Sequence, residues 1–215
     1  MNTAVAVIGA GGHAKVVIST LQTAGYVVGG VFDDDPAKWG TEILGVPVIG
    51  AIKDVVQADF AAAVIAIGDN AVRQRLAWQL SDLHWRKVVH PHAWVHPSVE
   101  IGAGSVVFAG AVVQPEVKIG KHVIINTGAT VDHECIVSDF SHIAPGAHLA
   151  GRVVIEEGVF VGMGSNVIQG CRVGAWSIVG AGAVVVRNLP PHVIAVGVPA
   201  RAIKQHHREA EEQDG

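Results

Sequence analysis

Every sixth residue from Val95 to Val185 is aliphatic, sixteen positions in succession without interruption. The series runs Val95, Ile101, Val107, Val113, Ile119, Ile125, Val131, Val137, Ile143, Leu149, Ile155, Val161, Val167, Val173, Val179, Val185. Four places after each of the first fifteen stands a small or β-branched residue, from Val99 and Ser105 to Ser177 and Ala183. The two registers imply a short strand with a large inward side chain, then a turn whose inward slot admits only a small group. Three such hexads close one triangular coil. Residues 18 apart then stack at about 4.8 Å, the spacing of any sheet, and such repeats are the mark of a parallel β-helix.

Composition agrees with this reading. Half of the 215 residues are hydrophobic, yet only 5% are aromatic and 16% charged, and 26 are glycine. Leu, Glu and Lys would lead in a helical bundle; small and β-branched residues suit narrow β-structure with tight turns. A net charge of −4 gives no basic field to attract nucleic acid or an anionic membrane. No apolar run approaches the roughly 18 residues that span a bilayer, and no targeting segment is evident. The expectation is a soluble, cytoplasmic protein. Cys135 and Cys171 share the small inward slot two coils apart, about 10 Å by the stacking distance. That exceeds the roughly 7 Å limit for a disulfide, so both read as buried reduced thiols.

Residues 1–85 follow another rule. The run Ala4-Val5-Ala6-Val7-Ile8 leads into Gly9-Ala10-Gly11-Gly12-His13-Ala14-Lys15 and a helical stretch to about Ala24. A second strand, Val27 to Phe32, ends in Asp33-Asp34-Asp35; a third, Ala63 to Ile67, ends in Gly68-Asp69-Asn70 and enters a helix around Arg73 to Leu80. Strand–helix–strand alternation predicts a small parallel sheet with crossover helices. The glycine loop satisfies G-x-G-x-x-G/A with acids about 20 residues on, a phosphate-cradling arrangement at a helix start. A dehydrogenase needs more than this half-fold, and no hydride-transfer site follows. The expected division is a Rossmann-like unit at 1–85, a β-helix with its C-terminal extension at 86–204, and a polar tail at 205–215.

A glycine-loop unit joined to a hexapeptide β-helix resembles the bacterial nucleotide-4-amino-sugar N-acetyltransferases, those of the bacillosamine and perosamine type, and the related sialic acid O-acetyltransferases. The carriers are the loop at 9–15, Ala66-Ile67-Gly68-Asp69-Asn70, Asn126-Thr127-Gly128-Ala129-Thr130-Val131-Asp132-His133-Glu134-Cys135, and Gly197-Val198-Pro199-Ala200-Arg201. The resemblance implies a left-handed coil, against the usual right-handed crossover. It further implies a homotrimer with acetyl-CoA as cosubstrate lying along the β-helix between subunits, and no metal. Gly11, Gly12 and His13 would contact the sugar nucleotide, with Asp33, Asp34 and Gly68 nearby. His133 would be the base and Glu134 its partner; His142, Met163 and Ala181 would serve acetyl-CoA. Some relatives have Ser at position 11, so the Gly here removes a hydroxyl contact to phosphate.

The chemistry suits these residue types. Acetyl transfer needs an uncharged amine to attack a thioester and a group to take the proton from the adduct. Histidine, with an ordinary pKa of about 6.5, is fitted for that, and a carboxylate raises its basicity. Strand parity counted from Val131 turns His133 inward, so a local turn is required to bring it to a cleft. Asp132 and Glu134 both flank it, and the resemblance favours Glu134. Asn126 could serve the reacting centre or a turn. Arg187, Arg201 and Lys204 could meet coenzyme A phosphates or solvent. Competing readings are sialic acid O-acetylation, a zinc hydratase using His122, His142 and His148, and a non-catalytic sugar-nucleotide binder.

Overall fold

The computed structural model describes residues 4–206, and the six-residue period dominates its geometry. From Trp94–Val95 to Val184–Val185 each hexad supplies a two-residue strand whose second member is a ladder aliphatic. Every strand pairs in parallel with those 18 residues away, as Ile125 does with Val107 and Ile143. The strands form three sheets, the faces of a triangular prism. The coil begins one hexad before Val95, because Val88–Val89 already pairs with Val106–Val107. At the far end Val193–Val196 continues the first face and Arg201–Gln205 returns antiparallel beside it. Of the polar tail at 205–215, the part from 207 onward lies outside the described residues.

The prism interior is close to dry. Ladder residues Val107, Ile125, Ile143, Val161 and Val179 are all 0% exposed, each contributing about 1.5–3 kcal/mol of burial. Ser105, Ser141, Ser165 and Ser177 fill small corner slots and donate their hydroxyls to the carbonyls of Gly120, Glu156, Gly180 and Pro190. Those bonds remove the cost of burying a hydroxyl. Cys135 and Cys171 occupy the same kind of slot as buried free thiols. Burial pushes the Cys135 thiol up to about 11, which leaves it protonated and unreactive.

The N-terminal unit is a five-stranded sheet built from β1 (Val5–Ile8), β2 (Val28–Phe32), β3 (Glu42–Ile43), β4 (Val46–Gly50) and β5 (Ala62–Ile65) in the order β3-β4-β2-β1-β5. Helices α1 (Gly12–Thr23) and α2 (Asn70–Gln79) follow β1 and β5. The β3–β4 hairpin is absent from the sequence reading: its strands are short, Pro47 interrupts the second, and its turn places Leu44 and Gly45 at φ 50° and 77°. Gly9, at φ 99°, must be glycine, since a Cβ there would lie 2.7 Å from the Ile67 side chain.

One prism face carries this unit, and its outward residues show why. Along that face the outward positions are Val88, Val106, Ile124, His142 and Phe160, whereas the other faces present residues such as Glu100, Lys118, Arg172, Thr130 and Asn166. Val88, Val106, Phe108 and Ile124 share a core with Val17 and Ile18 of α1, and Phe140 joins Leu76 and Ala77 of α2. The apolar stripe at 18-residue spacing is the docking surface for the N-terminal sheet.

Candidate active site

Three prism edges separate the three faces, and the candidate residues fall on two of them. Beside the edge between the docked face and the second face, His142 projects from the docked face and is buried under the N-terminal unit. Its Nδ1 lies 3.4 Å from the Gly68 carbonyl and its Nε2 lies 2.9 Å from Asn126 Nδ2. The His13 ring meets Phe108 edge-on at 5.5 Å and lies 6.2 Å from His142, whose other neighbour is Phe160. The structure thus gathers His13, Gly68, Asn126 and His142 from segments far apart in sequence. Burial, reinforced by the charge of Arg73, lowers His13 to about 4. Burial, Arg73 and His13 together lower His142 to about 3. Both rings are neutral at physiological pH. Met163 and Ala181 continue the same edge in successive coils, joined by the bond from Gly182 N–H to the Met163 carbonyl.

Gly11 and Gly12 are exposed at the start of α1, where no side chain caps the free N–H groups. Asp33 is engaged within the protein. Its Oδ2 accepts from Ala10 N–H at 2.6 Å, and its Oδ1 accepts from Asp35 N–H and Lys38 Nζ. These bonds outweigh its desolvation and hold the carboxyl below the usual range. Asp33 therefore braces the glycine loop from within. Asp34 is exposed and gives one oxygen to Ile52 N–H, leaving its carboxylate open to the loop's surroundings.

His133 and Glu134 stand on the edge between the second and third faces. Strand parity pointed His133 inward; instead residues 133–134 form the corner turn and the ring is 47% exposed. Glu134 adopts φ 59°, a left-handed corner conformation that a strand residue would not take. That twist returns its carboxylate to the imidazole, with Nδ1 2.9 Å from Oε2. Asp132 is committed to the backbone, accepting from His133 N–H at 2.8 Å. Arg152, one coil on, approaches Glu134 Oε2 at 3.7 Å. With Nδ1 directed to Glu134, Nε2 is left as the proton-accepting nitrogen.

Two residues absent from the sequence reading shape these edges. Gly151 lies beneath His133, where an added Cβ would sit 2.5 Å from Nε2. Gly151→Val is expected to displace the ring and cut turnover about tenfold or more, with the fold retained. Steady-state assays beside thermal melting check this. Arg73, 1% exposed, ties the Gly68 turn to the coil. The signal for both is spatial: the partner of Gly151 is one coil away, and those of Arg73 are carbonyls across the chain.

Between the two edges the second face holds a groove of about 520 Å³ lined by Gln114, Thr130, Asp132, His148, Asn166 and Gln169 among others. His122, His142 and His148 do not converge. His122 stacks on Phe140 at the third edge, His142 faces His13, and His148 bonds Thr130 on the second face. No cluster of three or more His, Cys, Asp or Glu among the described residues is placed to hold a metal.

A Rossmann-like glycine-loop unit on a hexapeptide coil, with an exposed His–Glu pair at one corner, defines a left-handed β-helix acyltransferase. Residues 4–80 match the PglD N-terminal domain, and residues 152–187 match the bacterial transferase hexapeptide repeats. A variant of perosamine N-acetyltransferase from Caulobacter crescentus, solved with CoA and GDP-perosamine, is 42% identical, with TM-score 0.89 over 94% of this chain and 97% of that one. The acetyltransferase domain of PglB from Neisseria gonorrhoeae, in complex with acetyl coenzyme A, is 38% identical, with TM-score 0.88 over 94% of this chain and all of that one. Curated relatives are matched only in part: protein L142 of Acanthamoeba polyphaga mimivirus is 34% identical over 98 residues, 46% of this chain and 20% of that one. The chain belongs to the nucleotide amino-sugar acetyltransferase family.

Proposed function

We propose that the protein transfers the acetyl group of acetyl-CoA to the 4-amino group of a nucleotide-linked amino-deoxy sugar. The observation that carries this reading is the His133–Glu134 corner, an imidazole oriented through Nδ1 with Nε2 open, on a coil of the acyltransferase type. Residues 1–85 hold the sugar nucleotide through Gly11, Gly12, His13 and the Gly68 turn. Residues 86–204 supply the acyl chemistry. Met163 is 60% and Val198 74% exposed, an apolar surface suited to the pantetheine arm, while Arg201 and Lys204 offer cations to its phosphates.

In this mechanism the neutral amine attacks the thioester carbonyl carbon. His133 Nε2 takes the proton released from the amine nitrogen as the new C–N bond forms, and Glu134 stabilises the resulting imidazolium through Nδ1–H. The C–S bond then breaks, and the departing thiolate takes the proton from the His133 imidazolium, which returns the base to its neutral form. His142 is unsuited to be the base, because burial holds it neutral to about 3 and both ring nitrogens are engaged.

The nucleotide edge and the His133 edge of one protomer lie on opposite sides of the second face. A homotrimer brings the His133 corner of one copy against the His13–His142 edge of the next, with acetyl-CoA between them. The pathway that fits is bacterial surface-glycan synthesis in the cytoplasm, where both substrates are made. No described helix is long and apolar enough to cross a membrane.

Acetyl-CoA-dependent thiol release across UDP-, GDP- and dTDP-linked 4-amino sugars, beside free sialic acids, tests the reading. Turnover with at least one amino-sugar nucleotide is the expected result. Turnover with sialic acid alone would replace it by O-acetylation.

A further inference from the structure

The guanidinium of Arg73 is spent on the protein itself. Nη1 lies 3.1, 3.2 and 3.3 Å from the carbonyls of Ile67, Gly68 and Asp69. Nε donates to the His122 carbonyl, and Nη2 to the Phe140 carbonyl and Asn70 Oδ1. One side chain thus joins the β5–α2 turn to two successive coils. The planar fork serves these divergent acceptors in a way a lysine ammonium cannot. The Gly68 carbonyl held in this way is the one that faces His142 Nδ1.

On the other side of the His142 ring the donor and acceptor roles are closed. Asn126 Oδ1 accepts from Thr127 N–H at 2.8 Å, so its Nδ2 faces His142 Nε2. An amide nitrogen only donates, hence Nε2 accepts and the ring's single proton is at Nδ1, directed to Gly68. We infer that Arg73 is a positioning residue: by holding the Gly68 carbonyl against Nδ1 it acts together with the Asn126 amide at Nε2 to keep the His142 ring in the Nδ1–H tautomer. His142 is then a neutral, immobile wall with no lone pair to spare. The turn that carries Gly68 is locked to the same geometry. The kinetic consequence rests on the activity proposed above; the tautomer does not.

Full-length protein labelled with ¹⁵N-histidine tests the assignment through long-range ¹H–¹⁵N spectra, with His142→Gln identifying the His142 signals. The wild type is expected to show a protonated Nδ1 and an accepting Nε2. In Arg73→Lys the pattern is expected to shift to a mixture or to the Nε2–H form, and kcat/KM for the amino-sugar nucleotide to fall about tenfold. Asn70→Ala, which frees one guanidinium nitrogen, provides a second variant with the same change to a smaller extent should Arg73→Lys fail to fold. An Nε2–H tautomer in the wild type overturns the inference. So does an unchanged Nδ1–H pattern in the folded variants. Lack of turnover with any amino-sugar nucleotide would defeat the proposed activity and leave the spectral result standing.

Discussion

His133→Asn is expected to lower kcat about 10²- to 10⁴-fold, the range for removal of a general base, while the KM for acetyl-CoA changes little. The asparagine amide preserves polarity and approximate volume at the corner but offers no nitrogen lone pair to take the proton. The side chain is about half exposed and sits on a turn, so the fold loses no buried contact, and the stability change should stay within about 0.5 kcal/mol. Glu134→Gln is expected to be milder, because Oε1 still accepts from Nδ1 while the charge that steadies the imidazolium is gone. Steady-state kinetics with both substrates varied separates the cases. Unchanged turnover in His133→Asn would show that the amine arrives deprotonated and that His133 only orients it.

The coil was readable because its constraint is strictly periodic: one slot in six has no room for anything but an aliphatic side chain, wherever along the axis it falls. The same reading missed the finer period. Outward residues at 18-residue spacing are mostly apolar on one face, with Val88, Val106, Ile124 and Phe160 in line, whereas the other two mix apolar positions such as Val112 and Ile136 with Glu100, Lys118, Thr130 and Arg172, and this marks where the N-terminal unit docks. Strand parity alone leaves His133 in need of a local turn, and the corner supplies it; the left-handed Glu134 conformation that makes the corner has no sequence signature when the residue is not glycine. The sequence places Asp33 near the glycine loop but does not show that its carboxylate accepts from Ala10, Asp35 and Lys38. In the sequence Arg73 marks only the start of a helical stretch. Its acceptors on the coil are the His122 and Phe140 carbonyls, 49 and 67 residues away, and nothing local announces them.

Two inactive variants should restore each other's activity when co-expressed. His133→Asn removes the proposed base at one edge. Gly12→Trp fills the loop at the other, an exposed position where an added Cβ meets nothing within 4 Å. If each site takes His133 from one copy and the glycine loop from its neighbour, a mixed trimer contains sites in which a Gly12→Trp chain supplies His133 and a His133→Asn chain supplies the loop. Random assembly makes about a quarter of all sites intact in a cyclic oligomer with head-to-tail contacts. Activity is then expected to rise from near background in each variant alone to roughly a quarter of the wild-type level. If instead the groove on the second face joined the two edges within one protomer, every chain would carry one lesion in its own site and mixing would recover nothing. Variants purified separately and combined without subunit exchange give the baseline. The outcome distinguishes a site shared between copies from one complete in each, because the two arrangements use the same residues and differ only in which chain supplies them.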